Sequence, residues 1–367
     1  MSVPRPRPGI LALQPYVGGE HKPPAGARLR ANRAVRLASN ENPLGAGKAA
    51  SAAYLAAASD LHRYPDGDSR ALREAIAAAE GLKAAQIVCG AGSDELIQLL
   101  VKAYAGPGDE VLYSWHGFLI YPIAARAAGA TPVAAPEREL TADVDALLER
   151  VTDRTRMVFV ANPNNPTGSL LTASELRRLQ AGLPRDVLFA VDSAYAEYVT
   201  DRDYEAGAAL VDAAENVVML RTFSKIHGLA ALRLGWAYGS PAIVDVLNRV
   251  RGPFNVTAAA QAAGVAALAD RAHIEASRRH NAKLLPWFSE QLRRLGFTVA
   301  PSAGNFVLLR LADAAAAQSA LEHLKAEGIL VRAMGGYGLP ESLRITIGIE
   351  EDLQAVLDSL AEWKERR

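Results

Sequence analysis

The feature that most constrains the fold is an alternation of short apolar segments with longer helical patterns between residues 87 and 220. Segments such as MVFV at Met157–Val160 and VLFAV at Val187–Val191 are apolar at every position. Strands of this kind suit a sheet covered by helices on both faces, which is what a mainly parallel sheet requires. The alternation therefore predicts an α/β fold.

The pattern changes after Arg251–Phe254 and predicts a second, smaller α+β unit. A helical region over 257–295 leads there to alternating strands and helices, whereas residues 1–36 are rich in proline, glycine and arginine, as in an irregular arm. A length of 367 residues suits two domains. We expect an arm and part of the small domain over 1–40, a large domain over 41–255 and a small domain over 256–367.

Composition argues against several classes of function. Lysine plus arginine and aspartate plus glutamate number 40 each, so no net charge draws the chain to nucleic acid or to an anionic membrane. The single cysteine, Cys89, excludes an intramolecular disulfide, and the histidines show no paired metal-ligand spacing. The N-terminus lacks a signal-peptide core, and no apolar run reaches about 18 residues. We expect a cytoplasmic protein without a metal site.

Distinctive segments follow five of the predicted strands, at the sheet edge where parallel α/β proteins bind ligands. The most specific is NPNNPTG at Asn162–Gly168, where two X-Pro steps end the strand and leave side-chain amides as donors. After Cys89, GAGSDE opens a helix whose free N–H groups favour an oxyanion. Simple N-capping by Ser93 would explain that stretch equally well.

Aromatic rings and a carboxylate follow two further strands. SWHGFLIY after Tyr113 offers rings, among them Phe118, that could stack on a planar ligand or pack in the core. Asp192 ends an apolar strand, with Tyr195 three residues on. A carboxylate buried there needs a positive partner, such as a protonated ring nitrogen, unless it merely caps the next helix.

A lysine flanked by hydroxyl groups follows the strand Val217–Leu220. Thr222 and Ser224 precede Lys225, and Arg233 lies eight residues beyond it. Desolvation lowers the pKa of a lysine and makes it a nucleophile toward carbonyls, and hydroxyls with a guanidinium are the donors that a phosphate needs. A solvated loop lysine is the alternative.

Together these segments resemble fold-type I pyridoxal-phosphate aminotransferases, and within them the histidinol-phosphate aminotransferase family. The motifs agree in order and spacing over nearly the whole chain: QPY (14–16), SNENPLG (39–45), RYPD (63–66), GSDELI (92–97), NPNNPTG (162–168), Asp192 with Tyr195, TFSK…LRLGW (222–236) and LRITIG (343–348). The resemblance implies a mainly parallel seven-stranded sheet between helices, a smaller α+β domain and pyridoxal 5′-phosphate as cofactor.

The resemblance also implies a role for each motif residue toward the cofactor. Lys225 would be the amine that binds the cofactor aldehyde and later moves a proton, and Asp192 would pair with the ring nitrogen. Tyr195 and Asn165 would hydrogen-bond the phenolic oxygen, and Phe118 would stack on the ring in place of the more common tyrosine. A set of backbone and side-chain donors would hold the phosphate: Ser93, Asp94, Thr222, Ser224 and Arg233.

Two further implications concern the partner subunit and the substrate. Tyr64 of RYPD would reach the phosphate from a neighbouring subunit, which implies a homodimer with shared sites. Arg344, helped by Arg332, Tyr16 and Asn165, would bind the anionic group of the substrate. Because Arg344 belongs to the small domain, domain closure and substrate binding would be one event.

The expected reaction transfers the amino group of histidinol phosphate to 2-oxoglutarate in histidine biosynthesis. The substrate is left open by the sequence, because side-chain selectivity depends on small differences in pocket shape. An aromatic-amino-acid aminotransferase and a decarboxylase acting on a phosphorylated amino acid share the scaffold. A binding protein that has lost the chemistry is a further alternative, against which intact Lys225, Asp192 and Tyr195 argue.

Overall fold

The computed structural model describes residues 6–30 and 33–366. Its helices are α1 (Lys48–Ala56), α2 (Arg70–Glu80), α3 (Ser93–Tyr104), α4 (Ile120–Ala128), α5 (Val144–Glu149), α6 (Ala173–Gly182), α7 (Ala208–Ala213), α8 (Pro241–Val250), α9 (Ala258–Ala269), α10 (Arg271–Arg294), α11 (Ala314–Ala326) and α12 (Glu350–Glu365). Its strands are β1 (Val35–Arg36), β2 (Ile87–Gly90), β3 (Glu110–Ser114), β4 (Thr131–Ala135), β5 (Glu137–Arg138), β6 (Thr141–Ala142), β7 (Thr155–Ala161), β8 (Leu188–Asp192), β9 (Val217–Thr222), β10 (Gly235–Gly239), β11 (Thr298–Val299), β12 (Phe306–Arg310), β13 (Ile329–Leu330), β14 (Arg332–Ala333) and β15 (Ser342–Thr346).

The large sheet has seven strands in the order β2-β10-β9-β8-β7-β3-β4. Strand β10 runs antiparallel to both of its neighbours, and the pairs among β9, β8, β7, β3 and β4 are parallel. The predicted α/β fold with a mainly parallel seven-stranded sheet is therefore confirmed. As a result, β2, β7, β8 and β9 all end at the same edge of the sheet.

Helices cover both faces of the large sheet, as the apolar strands predict. Successive strand residues alternate between two cores: Met219 faces the side of α2, α6 and α9, whereas Val218 and Leu220 face the side of α3, α4 and α8. Both faces of the large sheet are thus shielded from water, and polar side chains collect where the strands end.

The small domain is built on a four-stranded sheet in the order β11-β12-β15-β14, with the parallel pair β1 and β13 beside it. Helices α10, α11 and α12 contribute Phe288, Leu324 and Leu360 to its separate core. The predicted arm holds a short 3₁₀ helix, Ile10–Ala12, and its residues 1–5, 31 and 32 lie outside the described residues.

The helical region after residue 256 is two helices, because Asp270 ends α9 and its side chain accepts a hydrogen bond from the N–H of His273, which caps α10. Helix α9 packs on α1 and α2 and contributes Ala263 to the core of the large domain. The domain limits remain a prediction, and we propose that the division falls at Asp270 and not at residue 256.

In the described ranges, none of the helices combines the length and the apolar character that a bilayer crossing demands. Across those same residues, histidine, cysteine and carboxylate side chains form no group of three or more that could bind a metal ion.

Candidate active site

A cavity of about 250 Å³ lies at the edge where β2, β7, β8 and β9 end. The small domain contributes to its wall, and the N-terminal arm covers part of its mouth. All of the sequence-predicted site residues except Tyr64 line it: Tyr16, Ser93, Asp94, Phe118, Asn165, Asp192, Tyr195, Thr222, Ser224, Lys225, Arg233, Arg332 and Arg344. Residues from distant parts of the sequence thus meet in one concave site.

Asp192 ends β8 and is a buried carboxyl with one oxygen left without a partner. The hydroxyl of Tyr121 donates to Oδ2 at 2.7 Å, whereas Oδ1 makes no hydrogen bond to any described residue. Burial raises the pKa of Asp192 from its usual 3.8 to about 6, against the hydrogen bond from Tyr121, which lowers it. A buried carboxyl with an unpartnered oxygen suits a ligand that places a protonated nitrogen beside Oδ1.

Lys225 lies in the loop after β9, on the same wall of the cavity. Its Nζ donates to the carbonyl of Ser39 at 3.2 Å and lies 5.6 Å from the ring centroid of Tyr195. Burial, together with the nearby guanidinium of Arg344, lowers the pKa of Lys225 from 10.5 to about 8. A large fraction of the amine is therefore unprotonated slightly above neutral pH, as a nucleophile toward an aldehyde requires.

This lowered pKa predicts that Lys225 destabilises the ligand-free protein. Between pH 8 and 10.5 the folded chain binds fewer protons at Lys225 than the unfolded chain, so the free energy of unfolding rises with pH in that window. Below pH 8 the destabilisation caused by the buried charge of Lys225 is fully present. We therefore expect Lys225→Met to raise the free energy of unfolding at pH 7 by roughly 2–3 kcal/mol. Urea unfolding at pH 7 and pH 10 measures this.

The difference between the Lys225→Met variant and the parent protein should shrink as the pH approaches 10. The matched control is Lys102→Met, at an exposed lysine of α3, which should leave the unfolding free energy nearly unchanged at either pH. Equal stability of the Lys225→Met variant and the parent at pH 7 would contradict the assignment.

The end of β2 and the start of α3 form an anion-binding corner with the loop after β9. Helix α3 begins at Ser93 with free backbone N–H groups, and Arg233 donates to Oγ of Ser224 at 3.3 Å and to Oδ2 of Asp94 at 3.0 Å. A Cβ added at Gly92 would lie 2.5 Å from the Arg233 guanidinium, so a larger residue there would force the guanidinium to move. A helix N-terminus, a hydroxyl and a guanidinium together suit a phosphate group.

Two arginines from neighbouring small-domain strands face the opposite wall. Arg332 of β14 and Arg344 of β15 are direct cross-strand partners. Arg344 is buried, donates to Oδ1 of Asn165 and, at 2.8 Å, to the carbonyl of Ala38, and has an Nε without a partner among the described residues. Its burial lowers its pKa. Two adjacent cations need an anion between them, which favours a negatively charged substrate.

The arm closes over this wall through Tyr16. The guanidinium carbon of Arg332 lies 5.1 Å from the ring centroid of Tyr16, and Nη2 of Arg332 donates to the carbonyl of Val17 at 2.6 Å. Tyr16 meets Phe118 edge-on with 6.4 Å between ring centroids. The arginine pair is thus covered by an aromatic side chain of the arm.

Tyr64 is the one candidate that the structure places outside the cavity. Its side chain is 82 % exposed and stacks on Phe254 with 4.6 Å between ring centroids. Tyr64 therefore does not contribute to the cavity of its own chain.

The profile of the family "Aminotransferase class I and II" matches residues 32–360 of the chain. This chain belongs to that family. Among curated relatives of this aminotransferase, the "Histidinol-phosphate aminotransferase" of Rhodospirillum centenum is 58 % identical over 364 residues and covers 99 % of each chain. The protein of the same name from Paramagnetospirillum magneticum is 55 % identical over 365 residues, again with 99 % of each chain covered.

A solved structure supports the same relationship. The histidinol-phosphate aminotransferase of Sinorhizobium meliloti, solved in complex with pyridoxal-5′-phosphate, has a TM-score of 0.90 and 27 % identity, and the match covers 100 % of this chain and 99 % of that one. The fold-type I architecture that the sequence motifs imply is therefore confirmed for this aminotransferase.

Sequence reasoning missed three residues of the aminotransferase site. Tyr121 was predicted only as one of several rings, yet it is the hydrogen-bond donor to Asp192. Ser39 and Asn40 lie in the SNENPLG motif, to which the sequence analysis assigns no role, but they contact Lys225 and Tyr195. No local signal marks these two residues, because their contacts join positions 186 and 155 residues apart.

Proposed function

We propose that this chain is a pyridoxal-phosphate-dependent aminotransferase that transfers the amino group of histidinol phosphate to 2-oxoglutarate. One observation supports the proposal most: Lys225, with a lowered pKa, and Asp192, with an unpartnered oxygen, share a cavity with a phosphate-sized corner and a pair of arginines. Identity of 58 % over nearly full length to a named histidinol-phosphate aminotransferase favours the substrate.

The site residues fit the cofactor group by group. Ser93, Ser224 and Arg233 would hold its phosphate, Oδ1 of Asp192 would accept from its ring nitrogen, and Phe118 would cover a face of the ring. When bound, the cofactor supplies an electron sink for the electrons released at the α-carbon of the substrate. Asp192 would favour the protonated, more electron-withdrawing form of the ring because its carboxylate is buried beside it.

Lys225 would carry the proton that the reaction moves at the α-carbon. An amine with a pKa of about 8 can both accept and release a proton near neutral pH. Tyr195 and Asn165 would hydrogen-bond the phenolic oxygen, and the cover formed by the arm would exclude water from the reacting atoms.

Arg344 and Arg332 would bind the phosphate of histidinol phosphate and, in the second half of the reaction, a carboxylate of 2-oxoglutarate. Both ligands are anions that suit the forked geometry of a guanidinium. The same arginine pair would thus serve two substrates of different shape.

The test is a panel of amino donors with 2-oxoglutarate, with glutamate formation as the readout. We expect kcat/KM for histidinol phosphate to exceed that for phenylalanine or tyrosine by at least about 100-fold, the selectivity that a charged-group contact provides. Preference for the aromatic donors would instead show an aromatic-amino-acid aminotransferase. Release of carbon dioxide without an oxo acid would show a decarboxylase.

The anion-binding corner gives a second prediction, for which the chain offers a matched control. Gly92→Ala is expected to raise the Kd for pyridoxal 5′-phosphate by about 10- to 100-fold, because the new Cβ displaces the Arg233 guanidinium from the phosphate. Gly108 also has a positive φ, of 94°, against 83° at Gly92, but has no atom within 4 Å of an added Cβ. Gly108→Ala should therefore retain the parent affinity in a spectroscopic titration, and equal losses in both variants would overturn the assignment.

We also propose a homodimer in which Tyr64 completes the phosphate site of the partner. Its support is a set of exposed apolar and aromatic side chains on α1 and the segment after it, Tyr54, Leu55, Leu61 and Tyr64, with Phe254 stacked on Tyr64. Exposed apolar side chains grouped in this way are typical of a subunit interface. A cytoplasmic location remains a prediction from the sequence.

Subunit mixing tests the shared site. The Lys225→Ala and Tyr64→Ala variants are each expected to be impaired, and a mixture refolded together should regain activity, because each hybrid dimer holds one site with both side chains intact. Sedimentation should show a dimer. Activity of the mixture no higher than the mean of the two separate variants would contradict the role of Tyr64.

A further inference from the structure

Three consecutive residues at the junction of the two domains each contact one of the proposed functional side chains. The carbonyl of Ala38 accepts from Arg344 at 2.8 Å, and the carbonyl of Ser39 accepts from Lys225 at 3.2 Å. Nδ2 of the next residue, Asn40, donates to the hydroxyl oxygen of Tyr195 at 2.9 Å. The junction is therefore part of the site wall and not merely a linker.

Asn40 is held in an unusual conformation by a complete set of partners. It is only 1 % exposed and its φ is 55°, a region that asparagine tolerates better than most residues. Its N–H donates to Oγ1 of Thr346 at 2.9 Å, and its carbonyl accepts from Asn305 at 3.1 Å. Thr346 lies on β15, two residues beyond Arg344, so Asn40 connects the Arg344 strand to Tyr195.

In the structure the Asn40 amide has its nitrogen toward Tyr195 and its oxygen toward Thr346. Since Oγ1 of Thr346 accepts from the Asn40 N–H, the hydroxyl proton must go to an acceptor. The two candidates are the carbonyl of Leu37 at 2.8 Å and Oδ1 of Asn40 at 3.2 Å. With Oδ1 on the side of Thr346, the Nδ2 group faces Tyr195 and donates to its hydroxyl oxygen. As its oxygen accepts from Asn40, the hydroxyl of Tyr195 keeps its own proton for another acceptor in the cavity.

We propose that Asn40 is a positioning residue, whose amide orients the Tyr195 hydroxyl so that it donates to the phenolic oxygen of the cofactor. This inference rests on the proposed function, because it assumes that the cofactor binds in this cavity. A donor at the phenolic oxygen stabilises its ionised form and so lowers the pKa at which the visible absorption band of the bound cofactor changes. Loss of the amide should raise that pKa.

Two variants separate the side chain from the strained backbone. Asn40→Gly removes the amide while glycine enters a φ of 55° freely. Asn40→Asp keeps the shape but replaces the donor by an acceptor, which would draw the Tyr195 proton away from the cofactor. We expect the pKa of the visible band to rise by about 0.5–1 unit in the Asn40→Gly variant, the equivalent of one hydrogen bond, and by more in the Asn40→Asp variant.

The matched control is Asn281→Ala. Like Asn40, Asn281 is a buried asparagine whose Nδ2 donates one hydrogen bond, in this case to the carbonyl of Gly304 at 3.0 Å. Unlike Asn40, it does not line the cavity. The Asn281→Ala variant should leave unchanged the pKa at which the visible band of the bound cofactor changes. In a Tyr195→Phe background, Asn40→Gly should add no further shift, since the effect is transmitted through the hydroxyl.

The outcomes distinguish this inference from the proposed function. If the parent protein forms a visible band with pyridoxal 5′-phosphate and Tyr195→Phe shifts its pKa but Asn40→Gly and Asn40→Asp do not, Asn40 has no positioning role and the function stands. If Asn40→Gly still shifts the pKa of the visible band in the Tyr195→Phe background, the positioning role of Asn40 is equally overturned. If the parent protein forms no band at all, the proposed function itself fails.

Discussion

Replacement of Lys225 by alanine is expected to lower kcat for amino transfer by about 10⁴-fold or more, because in the proposed mechanism both the covalent capture of the cofactor and the proton transfer at the α-carbon would depend on this amine. The variant should still bind the cofactor through the corner around Arg233. Its visible band should differ from that of the parent, and borohydride should fix no cofactor to the chain.

The control for this experiment is Lys102→Ala, at an exposed lysine of α3, which should retain parental kcat. Single-turnover measurements with histidinol phosphate separate chemistry from product release. Residual kcat within about tenfold of the parent would show that Lys225 does not perform the proton transfer, since general acid–base catalysis alone contributes at least 100-fold.

Asp192→Asn is expected to lower kcat by about 10²- to 10³-fold, the cost of removing one partner of a buried ion pair. The amide keeps the shape of the carboxyl and could still accept from Tyr121, but it cannot balance the charge of a protonated ring nitrogen. The chain offers a matched control in Asp212, whose Oδ1 also accepts from a tyrosine, Tyr238, at 2.9 Å. Asp212→Asn should change kcat by less than about twofold, as surface substitutions usually do.

The pH dependence of cofactor binding provides an independent check on Asp192. Its pKa of about 6 in the ligand-free protein means that the carboxyl becomes protonated as the pH falls through that value. Affinity for pyridoxal 5′-phosphate should then decrease below pH 6 in the parent but not in the Asp192→Asn variant. For the folded protein alone the sign is opposite: the folded chain holds this proton more tightly than the unfolded one, so unfolding free energy falls as the pH rises from about 4 to about 6.

Much of the fold and of the proposed site could be predicted because the large sheet leaves little freedom. Apolar runs such as Met157–Val160 of β7 and Leu188–Val191 of β8 are typical of interior strands, and the carboxyl ends of such parallel strands meet at one edge. Asn165, Asp192 and Lys225 therefore had to lie near one another once their strands were placed. The antiparallel direction of β10 was not predicted, because the segment 223–234 between β9 and β10 is longer than the loop of a regular hairpin.

The contacts between these groups could not be predicted, because they depend on side-chain directions of residues far apart in the sequence. Tyr121 and Asp192 are separated by 71 positions, and Asn40 and Tyr195 by 155. The break at Asp270 was missed for a different reason. No glycine or proline marks it, and helix-favouring alanine and arginine residues stand on both sides of Asp270.

The pairing of β1 with β13 has a consequence for how the protein is made. Val35 pairs with Ile329, so β1, which is translated early, cannot form its pairing until β13 has been translated. Until then the neighbouring residues Ala38 and Asn40 lack Arg344 and Thr346, their partners on β15. A nascent chain that stops after the large domain would contain Lys225 and Asp192 but an incomplete site, so the last part of translation is the step that completes it.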